Sequence, residues 1–406
     1  MSKVILRWRE NIIKRILMLA AILIVAAVLL VASLITYFVV GRSQPVTLPA
    51  PAGPYPVGRT ITEWTDASRL ETLGGTPGQH RALSVWIWYP AARGGSPLPY
   101  MPSVWASARS RGIGTLLLQS LDSIHSHATD AAPSSQNAPF PVLIFEPGMG
   151  RLIPDYTSLA EDLASRGYVV IGLNPTYSAA ITVLNGQVIP SSALGNIPDN
   201  ATPAQLQQIG DRLVAIWAAD DRFAIDQAVR MNSDPSSPFA GRLDLRRVGL
   251  LGHSFGGAAA FEACHLDARC GAAADLDGTP FGSVVQTGLN RPLLLVSSEH
   301  GSDANNPAMQ KSDHDLAAIL ASAPLSYQVT ILGARHFNFT DVALGFHPVE
   351  RLVGVLGSID GARGLRITSA YLAAFFDQTL KNQPSSLLQG TPKDYPEVQF
   401  TPHSAK

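Results

Sequence analysis

The stretch Arg247-Val-Gly-Leu-Leu-Gly-His-Ser-Phe-Gly-Gly-Ala-Ala-Ala260 decides how the rest of the chain is read. It starts as a short apolar run with the character of a buried strand. It breaks at Gly252-His253-Ser254-Phe255-Gly256-Gly257 and continues as an Ala-rich helical pattern through Glu262. A strand that turns sharply into a helix is the context a G-x-S-x-G motif needs. A serine on so tight a turn requires neighbours without side chains that would strike the incoming helix. The helix start leaves backbone N–H groups free to face an anion. Ser254 is therefore the expected nucleophile, and an ordinary tight turn is the plainer alternative.

Working outward, Pro141-Val-Leu-Ile-Phe-Glu-Pro-Gly-Met-Gly150 reads as a buried strand followed by a loop of small residues. A loop of this kind supplies the second oxyanion donor in such an architecture, here the Met149 N–H beside the Phe255 N–H. A helix over Pro154 to Arg166 and a strand over Tyr168 to Leu173 follow, which gives a right-handed crossover and parallel pairing. Upstream, Leu83 to Tyr89 alternates as a strand. Residues 91–137 read as an excursion from the sheet, with a helix around Thr115 to His125. Asn174 to Asn200 has the length of a lid or pocket wall. A helix is expected from Pro203 to Met231, strands over Gly271 to Gly278, Pro292 to Ser297 and Tyr327 to Leu332, and helices from Ser312 and over Leu365 to Lys381. Alternation of this kind means one α/β domain with a mostly parallel sheet.

Catalytic partners gather at the carboxyl ends of such strands. His336 lies in the loop after the strand ending at Leu332 and downstream of Ser254, the place for the base in the order Ser, Asp, His. Its acid stays open on the residues alone. Asp277 follows one strand, Glu299 and Asp303 follow the next, and Asp275 lies one step deeper than Asp277.

The N-terminus carries Lys3, Arg7, Arg9, Lys14 and Arg15 against Glu10 alone, and Ile16 to Val40 has no charge. As a helix that run is about 37 Å long, enough to cross a hydrocarbon core. A cleaved signal peptide has a shorter apolar region and a small-x-small end. Here the run ends Tyr37-Phe-Val-Val-Gly-Arg42, so an uncleaved anchor is expected, with the basic end cytoplasmic and the remainder outside. The reading divides the chain into an anchor (1–42), a Pro/Ala/Gly-rich tether (43–56), a catalytic domain (57–385) and a tail (386–406). Charged residues are 15% and the net charge is -1. Nucleic-acid binding wants a basic face, so it is not expected.

The elbow at Gly252-His-Ser-Phe-Gly-Gly257, Leu276-Asp-Gly278 after the next strand, and Gly333-Ala-Arg-His-Phe-Asn-Phe together resemble the platelet-activating factor acetylhydrolase family. Ile87-Trp-Tyr-Pro90 and Pro141-Val-Leu-Ile-Phe with Pro147-Gly-Met-Gly150 fit the same pattern, so the likeness covers about Pro56 to Lys381. The resemblance implies an α/β-hydrolase fold and a metal-independent serine esterase, secreted or membrane-associated, acting on phospholipids with a short sn-2 acyl chain. It carries the nucleophile to Ser254, the acid to Asp277, the base to His336 and the oxyanion donors to Met149 and Phe255. Pro147 stands where animal members have His, and Gly278-Thr-Pro-Phe281 replaces their aromatic-rich segment. Both features are similar to bacterial relatives known broadly as lipases or esterases. A general carboxylesterase, lipase or polyester hydrolase is thus the near alternative, and a catalytically idle binding scaffold the distant one.

Other features have plain readings. Asp313-His314-Asp315 suggests metal ligands, but Ser312-x-x-Asp315 reads as a helix capping box. No metal, phosphate loop or dinucleotide fingerprint is expected, hence no cofactor. Cys264 and Cys270 form a disulfide or stay as two buried thiols. Asn200-Ala-Thr and Asn338-Phe-Thr are glycosylation sequons, the second hindered beside His336.

Overall fold

The computed structural model describes residues 2–110, 119–130, 134–137, 139–299, 306–345, 351–390 and 393–404. Helix α1 (Ser2–Arg42) precedes strand β1 (Val46–Thr47). The first half of the domain contains β2 (Val57–Leu70), β3 (His80–Pro90), β4 (Pro97–Pro99), α2 (Ser103–Arg109), β5 (Ile124–Thr129), β6 (Phe140–Glu146), α3 (Thr157–Ser165) and β7 (Val169–Asn174). A hairpin of β8 (Ile181–Leu184) and β9 (Gln187–Pro190) leads to α4 (Pro203–Ser233). Then come β10 (Leu243–His253), α5 (Phe255–Leu266), β11 (Cys270–Leu276), α6 (Val284–Thr287), β12 (Leu293–Ser298), α7 (Pro307–Ser322), β13 (Leu325–Ile331), α8 (Gly361–Leu380) and β14 (Val398–Ser404).

Among the described residues, twelve strands join one sheet in the order β1-β5-β2-β3-β7-β6-β10-β11-β12-β13-β14, with β4 on β5. The run β7-β6-β10-β11-β12-β13 is parallel throughout. Its carboxyl ends therefore lie along one edge, where the loops from β6, β10, β11 and β13 meet. Alternation along each strand divides the core between two faces. Leu143 and Phe145 of β6 pack with Leu159 and Leu163 of α3 and Phe376 of α8. Val142 and Ile144 face the other way, against Ala224 of α4 and Phe261 of α5. This is the α/β-hydrolase architecture, with a mostly parallel central sheet flanked by helices.

Several elements differ from their sequence reading. The segment read as a bare tether is packed. Val46 and Thr47 pair in parallel with Ile124 and His125, and Leu48 is buried. Ala52 and Gly53 donate their N–H groups to Asp162 Oδ1 (2.8 Å) and Ser165 Oγ (2.9 Å). A Cβ on Gly53 would lie 2.1 Å from the Ser165 carbonyl oxygen. The small residues that look like a linker here allow the chain to lie flat on α3, where its N–H groups find the partners they need. The C-terminal tail also joins the sheet: β14 pairs antiparallel with β13 and covers that edge. Over the proposed helix Thr115 to His125, residues 115–118 lie outside the described ones. Ile124 onward is β5, held between β1 and β4. Helix α7 begins at Pro307, so Ser312 lies in mid-helix and caps nothing; Asp315 pairs instead with Lys311 one turn back. Cys264 and Cys270 are joined in a disulfide.

Helix α1 runs outward from this domain, and its large apolar side chains from Ile16 to Val40, half-buried Phe38 apart, are exposed. It is long and apolar enough to cross a membrane. Its C-terminal end is tied to the domain where Ser120 donates its N–H to the Arg42 carbonyl at 2.8 Å.

Candidate active site

Ser254 sits between β10 and α5 at φ 56° and ψ −121°, a conformation that costs energy for a residue with a Cβ. The glycines around it have a steric cause. A Cβ on Gly252 would fall 2.1 Å from the Gly256 carbonyl carbon, and one on Gly256 would fall 2.5 Å from the Glu146 and Pro147 carbonyl oxygens. Bare backbone at Gly252 lets β10 end against the start of α5, and at Gly256 it brings α5 against the loop after β6.

From that turn a continuous relay runs across the sheet edge. Ser254 Oγ is 2.9 Å from His336 Nε2, and His336 Nδ1 is 2.8 Å from Asp277 Oδ2. His336 is held by its own loop. Buried Asn338 accepts from the Arg335 and Gly357 N–H groups, and Glu299 accepts from the Gly333 N–H. Asp277 follows β11 at φ 61°, a second non-glycine residue in the left-handed region. Its carboxylate also accepts from the Ser298 N–H (2.7 Å) and hydroxyl (2.8 Å). Burial alone would raise its pKa. The hydrogen bond and charge of His336, with the two Ser298 donors, outweigh burial and hold it down to about 2.

The other acids read from the sequence have different places. Asp275 is fully buried, accepts the Gly278 N–H at 2.9 Å, and leaves Oδ2 without a partner among the described residues. Burial, then the nearby Asp277 charge, pushes its pKa well above the carboxylate range. Glu299 supports the His336 loop instead of touching the imidazole. Asp303 and His300 lie outside the described residues.

Beside Ser254 the loop after β6 presents backbone. Gly148 donates its N–H to Tyr156 Oη, Gly150 to the Ser178 carbonyl, and Ser254 to the Leu276 carbonyl. Between them, the Met149 and Phe255 N–H groups have no protein partner among the described residues. Both residues line the cavity that Ser254 opens into. That pattern is what a developing oxyanion needs: donors preorganised and left free.

Sequence reasoning missed the support behind this site. Fully buried His253 bonds Tyr156 Oη through Nδ1 (2.8 Å) and the His336 carbonyl through Nε2 (2.9 Å). Burial, then the charge of His336, holds its pKa well below the usual histidine range, so the ring is neutral. A single tautomer satisfies every bond: Nε2–H donates to the His336 carbonyl, and Tyr156 O–H donates to Nδ1 while accepting from Gly148. The result is a chain of bonds from the loop after β6 to the His336 backbone. His253 could be read only as part of the elbow, and nothing in the sequence singles out Tyr156.

The cavity holds about 500 Å³. Met149, Ile197, Leu206 and Leu316 give it apolar walls, and Phe281 lies beside Phe255 with ring centroids 5.6 Å apart. Ile197 lies in the segment expected to form a pocket wall; that segment also folds the β8–β9 hairpin on Asn185-Gly186. Among the described residues no cluster of His, Cys, Asp or Glu has the makings of a metal site.

A family model described as platelet-activating factor acetylhydrolase, isoform II, matches residues 224–391 and so spans Ser254, Asp277 and His336. The chain is 28% identical over 385 residues to a probable 1-alkyl-2-acetylglycerophosphocholine esterase of Arthroderma benhamiae, covering 87% of this chain and 93% of that protein. It is 24% identical to the platelet-activating factor acetylhydrolase of Cavia porcellus, over 85% of this chain and 81% of that one. Among solved structures, a ferulic acid esterase from Streptomyces cinnamoneus superposes with a TM-score of 0.73 at 30% identity, covering 88% of this chain and 99% of that one.

Proposed function

We propose that this serine ester hydrolase, which is similar to the platelet-activating factor acetylhydrolase family over residues 224–391, cleaves short sn-2 acyl esters of phospholipids through Ser254, His336 and Asp277. The observation that carries this reading is the unbroken relay at 2.9 and 2.8 Å on a strained serine, facing two uncommitted N–H groups. Ser254 Oγ attacks the ester carbonyl carbon as His336 Nε2 takes its proton. The Met149 and Phe255 N–H groups hold the tetrahedral oxyanion. The ester C–O bond then breaks, and the leaving alcohol takes the proton from His336. Water gives a proton to His336, attacks the acyl-serine and releases the acid, with Ser254 recovering its proton. Asp277 fixes the tautomer with hydrogen on Nδ1 and stabilises the imidazolium. Phe255 and Phe281 line the cavity, backed by α4 where Gly210 approaches the Phe281 ring, and bulk there would favour a short acyl group.

The similarity to a ferulic acid esterase favours a second reading, a general carboxylesterase with the same chemistry. A panel separates the two: phospholipids with acetyl, butyryl, octanoyl and palmitoyl groups at sn-2, beside nitrophenyl and feruloyl esters. The first reading expects kcat/KM on phospholipid to fall at least tenfold from acetyl to octanoyl. Equal turnover across chain lengths, or a preference for feruloyl esters, would favour the second.

We further propose that α1 is an uncleaved signal anchor that leaves the catalytic domain on the outer side, supported by its length, its exposed apolar surface and the basic N-terminus. The full-length protein should then stay with membranes through alkaline carbonate extraction and be digested by protease added to the outer face. A mature N-terminus beginning after Val40 would mean a cleaved signal instead.

A further inference from the structure

A second cavity, of about 190 Å³, lies at the foot of α1 and shares Phe337 and Val355 as walls with the active-site cavity. We propose that it is a subsite for the phosphate of the substrate's headgroup. The inference rests on the phospholipid reading above and adds to it the place and the residues that recognise the headgroup.

Three arginines line this space: Arg42, Arg109 and Arg151. Arg109 is neutralised by Asp155 at 2.7 Å. Arg42 and Arg151 have no carboxylate partner among the described residues, and the Arg151 guanidinium lies 4.0 Å from the centre of the Phe337 ring. The other acid in the wall, Asp341, accepts hydrogen bonds from Ser158 and Tyr100. Burial raises it to about 8, against the pull of those donors, so it does not cancel the arginines at neutral pH. The pocket thus holds an excess of positive charge among apolar walls such as Leu48 and Leu121. Guanidinium groups match phosphate oxygens in both charge and planar geometry.

Position completes the argument. Arg42 ends α1, so with that helix in a bilayer the cavity lies at headgroup level. Phe337 directly follows His336, and Arg151 follows the loop that carries Met149. A glycerophospholipid bears its phosphate on the carbon next to the one carrying the sn-2 ester. With the ester at Ser254, Phe337 and Val355 border both the cavity that holds the ester and the one that would hold the phosphate.

The test uses full-length protein in detergent and two lipids with the same acetyl ester: 1-alkyl-2-acetyl-glycerophosphocholine and the phosphate-free 1-alkyl-2-acetyl-glycerol. The measured quantity is the ratio of their kcat/KM values. Wild type should favour the phosphate-bearing lipid, and the Arg42→Gln/Arg151→Gln double variant should lose at least tenfold in that ratio. Arg42→Lys/Arg151→Lys should recover most of it, which separates charge from a packing defect. A ratio unchanged within twofold in a folded double variant overturns the subsite and leaves the esterase reading intact. Wild-type turnover of nitrophenyl acetate without turnover of either lipid overturns the phospholipid reading and the subsite with it. Inorganic phosphate at constant ionic strength probes the other source of the same chemistry. Saturable binding of millimolar phosphate that the double variant loses, in an enzyme with no preference between the two lipids, assigns the pocket to a free anion and overturns the lipid assignment.

Discussion

Asp275 and Asp277 stand two residues apart at the end of β11, and both are shielded from water, yet they are held in opposite states. Asp277 leaves the pleat at φ 61° and meets three donors: the His336 ring, the Ser298 N–H and the Ser298 hydroxyl. Asp275 stays in the strand beneath Gly257, whose Cβ would lie 1.8 Å from Asp275 Oδ1. There it meets one donor, the Gly278 N–H, and the charge of Asp277 nearby. One carboxyl is held down to about 2 and the other well above its usual range. Burial opposes ionisation at both, and the inventory of donors decides which acid is a charged partner and which a neutral one. A single left-handed residue at the strand end makes that difference.

Substitution at Asp277 should break the comparison most severely. Asp277→Asn keeps the shape but loses the charge that stabilises the imidazolium and favours the wrong tautomer. Turnover should fall by roughly 10³–10⁴, the scale of the same substitution in a serine protease triad. Steady-state kinetics on a variant shown to be folded by its melt checks this. A folded Asp277→Asn enzyme with near-normal turnover, beside an inactive Asp303→Asn, moves the acid to the next strand.

A smaller effect is expected where His336 is supported from its other side. Tyr156→Phe removes the bond to His253 and the acceptor for the Gly148 N–H. Turnover should drop about tenfold, the net worth of roughly one hydrogen bond, with KM for nitrophenyl acetate changing less than kcat. A loss confined to KM would mean that the chain of bonds from Gly148 to His336 shapes binding and not the reacting groups.

Asp275→Asn should change turnover least, less than about threefold, and its signature is in stability. A carboxyl whose folded pKa is raised contributes stability that is fully present below its unfolded value of about 4 and lost as pH rises toward the folded one. Replacing it should therefore flatten the decline of Tm between pH 5 and 9. Asp277 has the opposite sign: its contribution is present above about 4 and lost as pH falls toward about 2. Melting curves across pH for the two Asn variants test this directly. Parallel Tm profiles for wild type and Asp275→Asn would remove the distinction.

What could be read ahead of the structure follows the same logic of local and distant causes. Ser254, the glycines around it and His336 were legible because a strand, a turn and a loop order leave marks within a few residues. Asp277 was legible only through family resemblance, because the donors that select it come from β12 and from the loop after β13. The Tyr156–His253 contact joins residues 97 positions apart and has no local mark. Segment 43–56 and strand β14 were misread for a related reason: small or polar residues on an edge look like linker until the partner strand or helix is known. The β8–β9 hairpin is different, since Asn185-Gly186 is a strong turn signal in the sequence itself. Ser312 shows the reverse failure, a local capping pattern overruled by a helix that had already begun at Pro307.

The central claim is that the Ser254 hydroxyl is the nucleophile. Its most direct test is labelling of the full-length protein with a fluorophosphonate, followed by peptide mapping and by the same reaction on Ser254→Ala. The account predicts one adduct, on Ser254, with labelling abolished and ester turnover reduced on the order of 10⁴ or more in the alanine variant, whose fold is retained. Labelling that persists in Ser254→Ala, or that maps to another serine in the wild type, contradicts it.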